Sequence, residues 1–191
     1  YSGTYAAEIR NTASGRGNTI FFTNNVLEMN KVAGELFTGD VAVKTGGSDA
    51  IPSGDHYTID TNGRAFTFRP TSMHFWYKYA PLKSDTWRAK LVLMDAAHEV
   101  IAEKELTASN SVSDWQEANV NLDFTDGTLY SKCAYIYVVF SSTVNAGANM
   151  PWERKDGYQL WEGDQLVNKN ETRSFIGSIL TIDDISLVYD K

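Results

Sequence analysis

Glu117-Ala118-Asn119-Val120-Asn121-Leu122-Asp123-Phe124 alternates polar and apolar side chains without a break. Successive side chains go to opposite faces in an extended strand, so Ala118, Val120, Leu122 and Phe124 belong on one face and their neighbours on the other. The same period recurs in both directions along the chain. Met73, Phe75, Tyr77 and Tyr79 alternate with His74, Trp76 and Lys78. Leu91 and Leu93 alternate with Lys90, Val92 and Met94, and Ile136, Val138 and Phe140 with Tyr135, Tyr137 and Val139. Tyr5, Ala7 and Ile9 predict a strand near the start, and Ser178 to Tyr189 one near the end. In that last run Leu180 and Ile182 keep one phase while Ile185 and Leu187 keep the other. The slip falls at Asp183-Asp184 and predicts a β-bulge, which inserts one residue and swaps faces.

Turn chemistry separates these runs at Gly15 to Asn18, Gly46-Gly47-Ser48-Asp49, Asn62-Gly63 and Asp126-Gly127. Asp95 to Leu106 is rich in helix formers but shows no apolar stripe at helical spacing, so Leu91–Asp95 and Val100–Leu106 read as a hairpin. Asn30 to Phe37 reads as a short helix or turn. Many strands and little helix give an all-β sandwich of two antiparallel sheets, one domain over residues 1–191. Residues 145–175 are the exception: no period is sustained there, and an excursion of that length is an irregular insertion in a compact domain.

Composition sets the partners that are excluded. The chain has 191 residues, with 17 Lys plus Arg against 24 Asp plus Glu and a net charge of −7. That balance argues against nucleic acid or an anionic membrane as the main partner. No apolar run approaches the ~20 residues of a spanning helix, so no membrane insertion is expected. Cys133 is the single cysteine, which excludes an internal disulfide framework and reads as a small core hydrophobe. Five Trp, ten Tyr and nine Phe with only four Pro favour β-structure. No Gly-x-Ser-x-Gly, P-loop or His-Glu-x-x-His occurs, and no nucleophile–base pair assembles from spacing. Asp114, Glu117, Asp123, Asp183 and Asp184 are the carboxylates from which a glycosidase pair would have to come.

Several segments resemble a known family. Gly63-Arg64-Ala65-Phe66-Thr67-Phe68-Arg69-Pro70, running on into Phe75-Trp76-Tyr77-Lys78-Tyr79-Ala80-Pro81, is similar to the central motif of the putative carbohydrate metabolism domain. Ala33-Gly34-Glu35-Leu36-Phe37-Thr38-Gly39, Phe140-Ser141-Ser142 and Gly177-Ser178-Ile179-Leu180-Thr181-Ile182-Asp183-Asp184 match in order, so the resemblance covers most of Tyr5 to Tyr189. It implies a jelly-roll β-sandwich in secreted or surface proteins of Bacteroidetes-type bacteria, and non-catalytic glycan binding. It also implies secreted, periplasmic or cell-surface localisation. The opening on Tyr1 leads to the expectation of the C-terminal part of a longer secreted protein, with an upstream domain as partner. Such jelly rolls often hold a structural Ca²⁺, for which Asp183 and Asp184 are the candidates; no other cofactor is required.

The expected ligand is an oligo- or polysaccharide. A flat ring stacks on the C–H face of a sugar while polar neighbours satisfy its hydroxyls. By parity His74, Trp76 and Lys78 share one face, and Tyr135 and Tyr137 share the solvent side of a later strand. If the two strands lie in one sheet, the five side chains form one platform. Trp152, Arg154, Tyr158 and Trp161 make a second candidate patch in the 145–175 segment. Two other readings stay open: a protein-interaction or structural module of a surface-anchored protein, favoured by a broad apolar patch, and a glycoside hydrolase.

Overall fold

The computed structural model describes residues 3–14, 30–43, 57–125, 127–128, 131–145, 150–151, 153–156, 161–162, 165–166 and 173–189. In chain order the strands are β1 Ala7–Arg10, β2 Thr12–Ser14, β3 Asn30–Val32, β4 Glu35–Phe37, β5 Val41–Val43, β6 Tyr57–Ile59, β7 Arg64–Ala65, β8 Ser72–Ala80, β9 Trp87–Met94, β10 Val100–Ala108, β11 Val112–Asn121, β12 Tyr135–Ser141, β13 Glu153–Asp156, β14 Trp161–Glu162, β15 Gln165–Leu166, β16 Arg173–Ile176 and β17 Ile179–Val188. The expected hairpin over 91–106 is β9 and β10, paired antiparallel with a register shift between Val100 and Ala102. Asn30 to Phe37 forms β3 and β4 rather than a helix or turn, because both short strands find partners far away in sequence, β2 and β12.

Two sheets make the sandwich. One has the order β1-β17-β8-β11; the other has β10-β9-β12-β4, with β7 also on β12. Counting only these eight principal strands in chain order, the sheets read first-eighth-third-sixth and second-seventh-fourth-fifth. That is the jelly-roll arrangement of two Greek keys. The chain changes sheets at nearly every connection, so neighbours in a sheet are remote in sequence and no periodicity announces them.

The core lies between the sheets, where inward residues alternate along every principal strand. Met73, Phe75, Leu91, Leu93 and Leu180 are fully buried, with Val120, Leu122, Ile136 and Ile182 nearly so. Val138 and Phe124, expected on the inner face, are half-buried and pack at the margin of this cluster. An aromatic knot holds the centre: Phe75 lies edge-on to Phe140 at 4.9 Å and to Trp87 at 6.0 Å, and Tyr77 sits 4.7 Å from Trp87. Cys133 is buried in the same cluster, and loss of water pushes its thiol above the ordinary range.

One end of the sandwich is closed by a buried carboxylate. Asp85, in the β8–β9 connection, is wholly inaccessible. Its oxygens accept from Thr143 Oγ1 (2.6 Å), Ser178 Oγ (2.6 Å), the Thr86 amide (2.9 Å), Asn145 Nδ2 (3.1 Å) and Asn11 Nδ2 (3.3 Å). Asn11 Oδ1 in turn accepts from Ser142 Oγ at 2.6 Å and from the Gly34 amide at 3.1 Å. Donors from the ends of β1, β12 and β17 therefore converge on Asp85, and the approach to β4 joins them through Asn11. Gly34 must be a glycine to take part, since a Cβ there would meet the backbone of Arg10 at 2.5 Å.

The segment expected to be irregular carries two ladders, β13 with β16 and β14 with β15, the second nested in sequence inside the first. Tyr5, expected in the first strand, lies before it and is 89% exposed.

Candidate functional site

β8 sits between β17 and β11, so its outward side chains have neighbours on both sides. Its alternation is strict: Met73, Phe75, Tyr77 and Tyr79 are buried, while His74, Trp76 and Lys78 are half-buried on the outer face. The register places Trp76 between Asp183 of β17 and Glu117 of β11, and His74 between Ser186 and Asn119. Lys78 is opposite Thr181. The face is thus a row of rings and charges flanked by hydroxyl, amide and carboxylate groups.

Contacts within the row fix the side chains. His74 Nε2 is 2.8 Å from Glu117 Oε1, and its ring stands edge-on to Trp76 at 6.3 Å. The Lys78 ammonium lies 4.9 Å from the ring centroid of Trp115 on β11, a cation–π contact. Trp115 arrives there through an irregularity: four steps of β11, Val112 to Gln116, span two steps of β8, Tyr79 to Tyr77. Beside it the face dips into a depression of about 220 Å³ lined by Lys78, Ala80, Val112, Ser113, Ile179 and Thr181 among others. Trp115 is the residue that strand-by-strand reading missed. The signal was present: it shares parity with Glu117 and Asn119, an aromatic on the polar face of the most regular strand.

The phase slip on β17 is a bulge between Asp183 and Ser186, with Asp184 at φ +49°. The Asp184 amide donates to Asp183 Oδ1 at 2.8 Å, the local bond that lets an Asp tolerate this conformation. The slip does not bring Ile185 inside as its phase suggested. Ile185 is 45% exposed, and Leu187 is the residue that returns to the core. A Ca²⁺ shell needs six to eight oxygens. Among the described residues no group of three or more His, Cys, Asp or Glu stands where an ion could be held.

Tyr135 and Tyr137 do not join the platform. They lie on β12, in the opposite sheet, between β9 and β4. Their parity was read correctly, but the outer face of that sheet is covered. Tyr137 is 7% exposed in a second apolar cluster with Val92, Met94 and Val139, against which Phe37, Ile59 and Tyr135 pack. Tyr135 carries the ring of His98 stacked on it at 4.0 Å and 24°. Trp152 and Tyr158 lie outside the described residues. Arg154 falls in β13 and Trp161 in β14, away from both principal sheets in the pairing.

No family model and no curated protein matches the sequence. Two of the solved structures that are similar come from Bacteroides. A putative glycoside hydrolase from Bacteroides thetaiotaomicron VPI-5482 aligns over 84% of this chain at 16% identity and a TM-score of 0.45, and this chain spans about half of it (48%). A putative glycoside hydrolase from Bacteroides vulgatus ATCC 8482 aligns over 97% of this chain and 73% of its own at 15% identity and a TM-score of 0.52. At that identity the likeness to the second protein is one of fold, and it extends over nearly the whole of this chain.

Proposed function

We propose that this chain is a non-catalytic carbohydrate-binding module of a secreted or surface protein, and that the outer face of the β1-β17-β8-β11 sheet is its glycan platform. The observation that carries this reading is the pairing of two half-buried rings, Trp76 and Trp115, with His74, Lys78, Glu117, Asn119, Thr181 and Asp183 on one open sheet face. Rings half-covered by their own sheet are held in place before a ligand arrives, so little rotamer freedom is lost on binding. Each stacking contact or rim hydrogen bond is worth about 1 kcal/mol, and a few together give affinities in the high micromolar to millimolar range. The name of the Bacteroides vulgatus fold neighbour, a putative glycoside hydrolase, adds a carbohydrate setting to this reading.

A glycan array probed with the purified chain, followed by titration of a hit against Trp76→Ala and Trp115→Ala, tests it. Loss of binding in both variants, with unchanged melting, supports the platform. Binding that survives both removes it. Release of reducing ends by the purified chain, abolished by Glu117→Gln or Asp183→Asn, would replace binding by hydrolysis.

A second reading, docking of a protein partner, is favoured by the edge of the sandwich between β4 and the second half of β17. An apolar cleft of about 380 Å³ opens there, lined by Phe37, Phe66, Met73, Ile136 and Phe140 with Leu36 and Ile185. Exposed Leu36, Phe68, Ile185, Val188 and Tyr189 are among the large apolar side chains left on the surface. Charge substitutions at Phe68 and Ile185 that left glycan binding intact but abolished a partner's binding would support it.

A further inference from the structure

The side chains around Trp76 divide by what they already hold. Glu117 is directly across from Trp76 in the β8–β11 register, yet its carboxylate leans along the diagonal to His74, whose Nε2 is 2.8 Å from Oε1. Diagonal neighbours on one sheet face are within reach of long side chains. The imidazole held in this way stands edge-on to the Trp76 indole, with centroids 6.3 Å apart and an interplanar angle of 82°. Edge-to-face is a preferred geometry for two rings in contact. Asp183, across from Trp76 on β17, accepts from the Asp184 amide at 2.8 Å. The charged groups nearest the ring are thus engaged before any ligand arrives. Beyond them, His74 has Asn119 across from it on β11 and Ser186 on β17, both exposed and both uncharged.

We infer that Glu117 and His74 are a positioning pair that holds the Trp76 ring, and that the polar contacts of a glycan on this part of the face fall to Asn119 and Ser186; the inference rests on the glycan-binding reading above. The chain of contacts carries it. Glu117 fixes His74 through one ring nitrogen, and the fixed imidazole takes freedom from the indole. A ring ordered in the free protein loses little more on binding. If Nε2 turned to a sugar hydroxyl, it would leave Glu117 and loosen the ring on which the sugar stacks. Asn119 and Ser186 can supply polar contacts without disturbing the pair. An amide both donates and accepts, and so does a hydroxyl, which matches the hydroxyl rim of a sugar.

The test reads ring order and affinity separately, on the full chain. Nitrogen relaxation of the Trp76 indole N–H is measured without ligand, and affinity by calorimetry with hexasaccharides from xylan, mannan and cellulose. The Trp76 order parameter is expected near that of rigid backbone, about 0.85, in the unaltered protein and below about 0.6 in His74→Ala and Glu117→Ala. Glu117→Gln keeps an oxygen that accepts from Nε2, and should retain both order and affinity. His74→Ala should weaken the hexasaccharide that binds about tenfold, and should add nothing further once Trp76→Ala is present. Asn119→Ala and Ser186→Ala should each weaken it about threefold to tenfold, the loss of one hydrogen bond, with Trp76 as ordered as before. Melting is recorded for every variant. Glu117→Ala, at a side chain 54% exposed, keeps the test decisive if His74→Ala folds poorly. A Trp76 ring that stays ordered in Glu117→Ala overturns the inference, and so does a Glu117→Gln variant as mobile as Glu117→Ala. Affinity unmoved by both Asn119→Ala and Ser186→Ala overturns the part assigned to them. If the ring loses order as expected but Trp76→Ala leaves binding intact, or none of the three hexasaccharides binds, the platform reading fails and the assignment of glycan contacts falls with it.

Discussion

Asp85 carries more of the fold than any other polar side chain described. Five donors converge on it from four separate parts of the chain, and no water reaches it. Removing a buried acceptor strands its donors, at about 1–3 kcal/mol for each left unsatisfied. Asp85→Ala is expected to destabilise by about 3–5 kcal/mol, read from urea unfolding, well beyond a surface substitution. Gly63 is a second single-residue determinant. It turns the chain into β7 at φ +72°, and a Cβ there would meet the Ile136 carbonyl oxygen at 2.3 Å. Gly63→Ala should cost more than about 1 kcal/mol, where an unstrained glycine would gain from the same change. Buried acids, Cys133 and Tyr79 among them, set the alkaline limit. Loss of water raises the Cys133 thiol above its ordinary value of 9.0. Tyr79, whose hydroxyl donates to the Ser142 carbonyl at 3.0 Å, is raised well above 10.0 chiefly by burial and also by the charge of Asp85, against a hydrogen bond with Ser178. A raised value in the folded state means that the native protein holds the proton more tightly than the unfolded chain. The stabilisation is complete below the ordinary values and is lost as pH rises above them. The urea midpoint should therefore be flat to about pH 8.5 and fall beyond it, less steeply at first in Cys133→Ala.

At the scale of elements, parity was legible and partnership was not. The inward and outward sides of β8, β11 and β12 follow from alternation alone, because that signal is local to each strand. The β17 bulge was legible as a phase slip, since an inserted residue must break the period. Which sheet a strand joins depends on pairing across more than a hundred residues, as for β4 with β12 or β1 with β17, and nothing in β12 itself says that β9 and β4 flank it. That is why Tyr137 was expected at the surface and is found under a second apolar layer. The motif residues Gly34, Ser142 and Ser178 have a physical account in the structure that spacing did not supply: they are donors and close approaches around Asn11 and Asp85. The two aromatic positions separate cleanly by experiment. Tyr137→Ala should lower stability by about 3–5 kcal/mol, as core aromatics do, and leave glycan affinity unchanged. Trp115→Ala on the outer face of β11 should cost little stability and at least tenfold in affinity. The reverse pattern would place the site on the β12 sheet.

For the molecule as a whole, the jelly roll has one sheet whose outer face is capped and one whose outer face carries rings and polar groups. The capped face is closed by Phe37, Ile59 and Tyr135 over Val92, Met94, Tyr137 and Val139. The other face carries His74 against Glu117 and Trp76, and Lys78 against Trp115. That asymmetry is why the outer face of the β1-β17-β8-β11 sheet is the one proposed to bind glycan, and the five tryptophans offer a direct readout of the proposal. Trp76 and Trp115 lie on the platform, Trp87 lies in the core at 1% exposure, and Trp152 and Trp161 belong to the 145–175 segment. The indole N–H signals of the labelled protein, assigned by single Trp→Phe variants and followed by NMR through titration with a glycan that binds, test the central claim. The account predicts that the Trp76 and Trp115 signals shift in a saturable, concentration-dependent way while that of Trp87 stays still. Shifts confined to Trp152 and Trp161, with Trp76 and Trp115 unmoved at saturation, would contradict it.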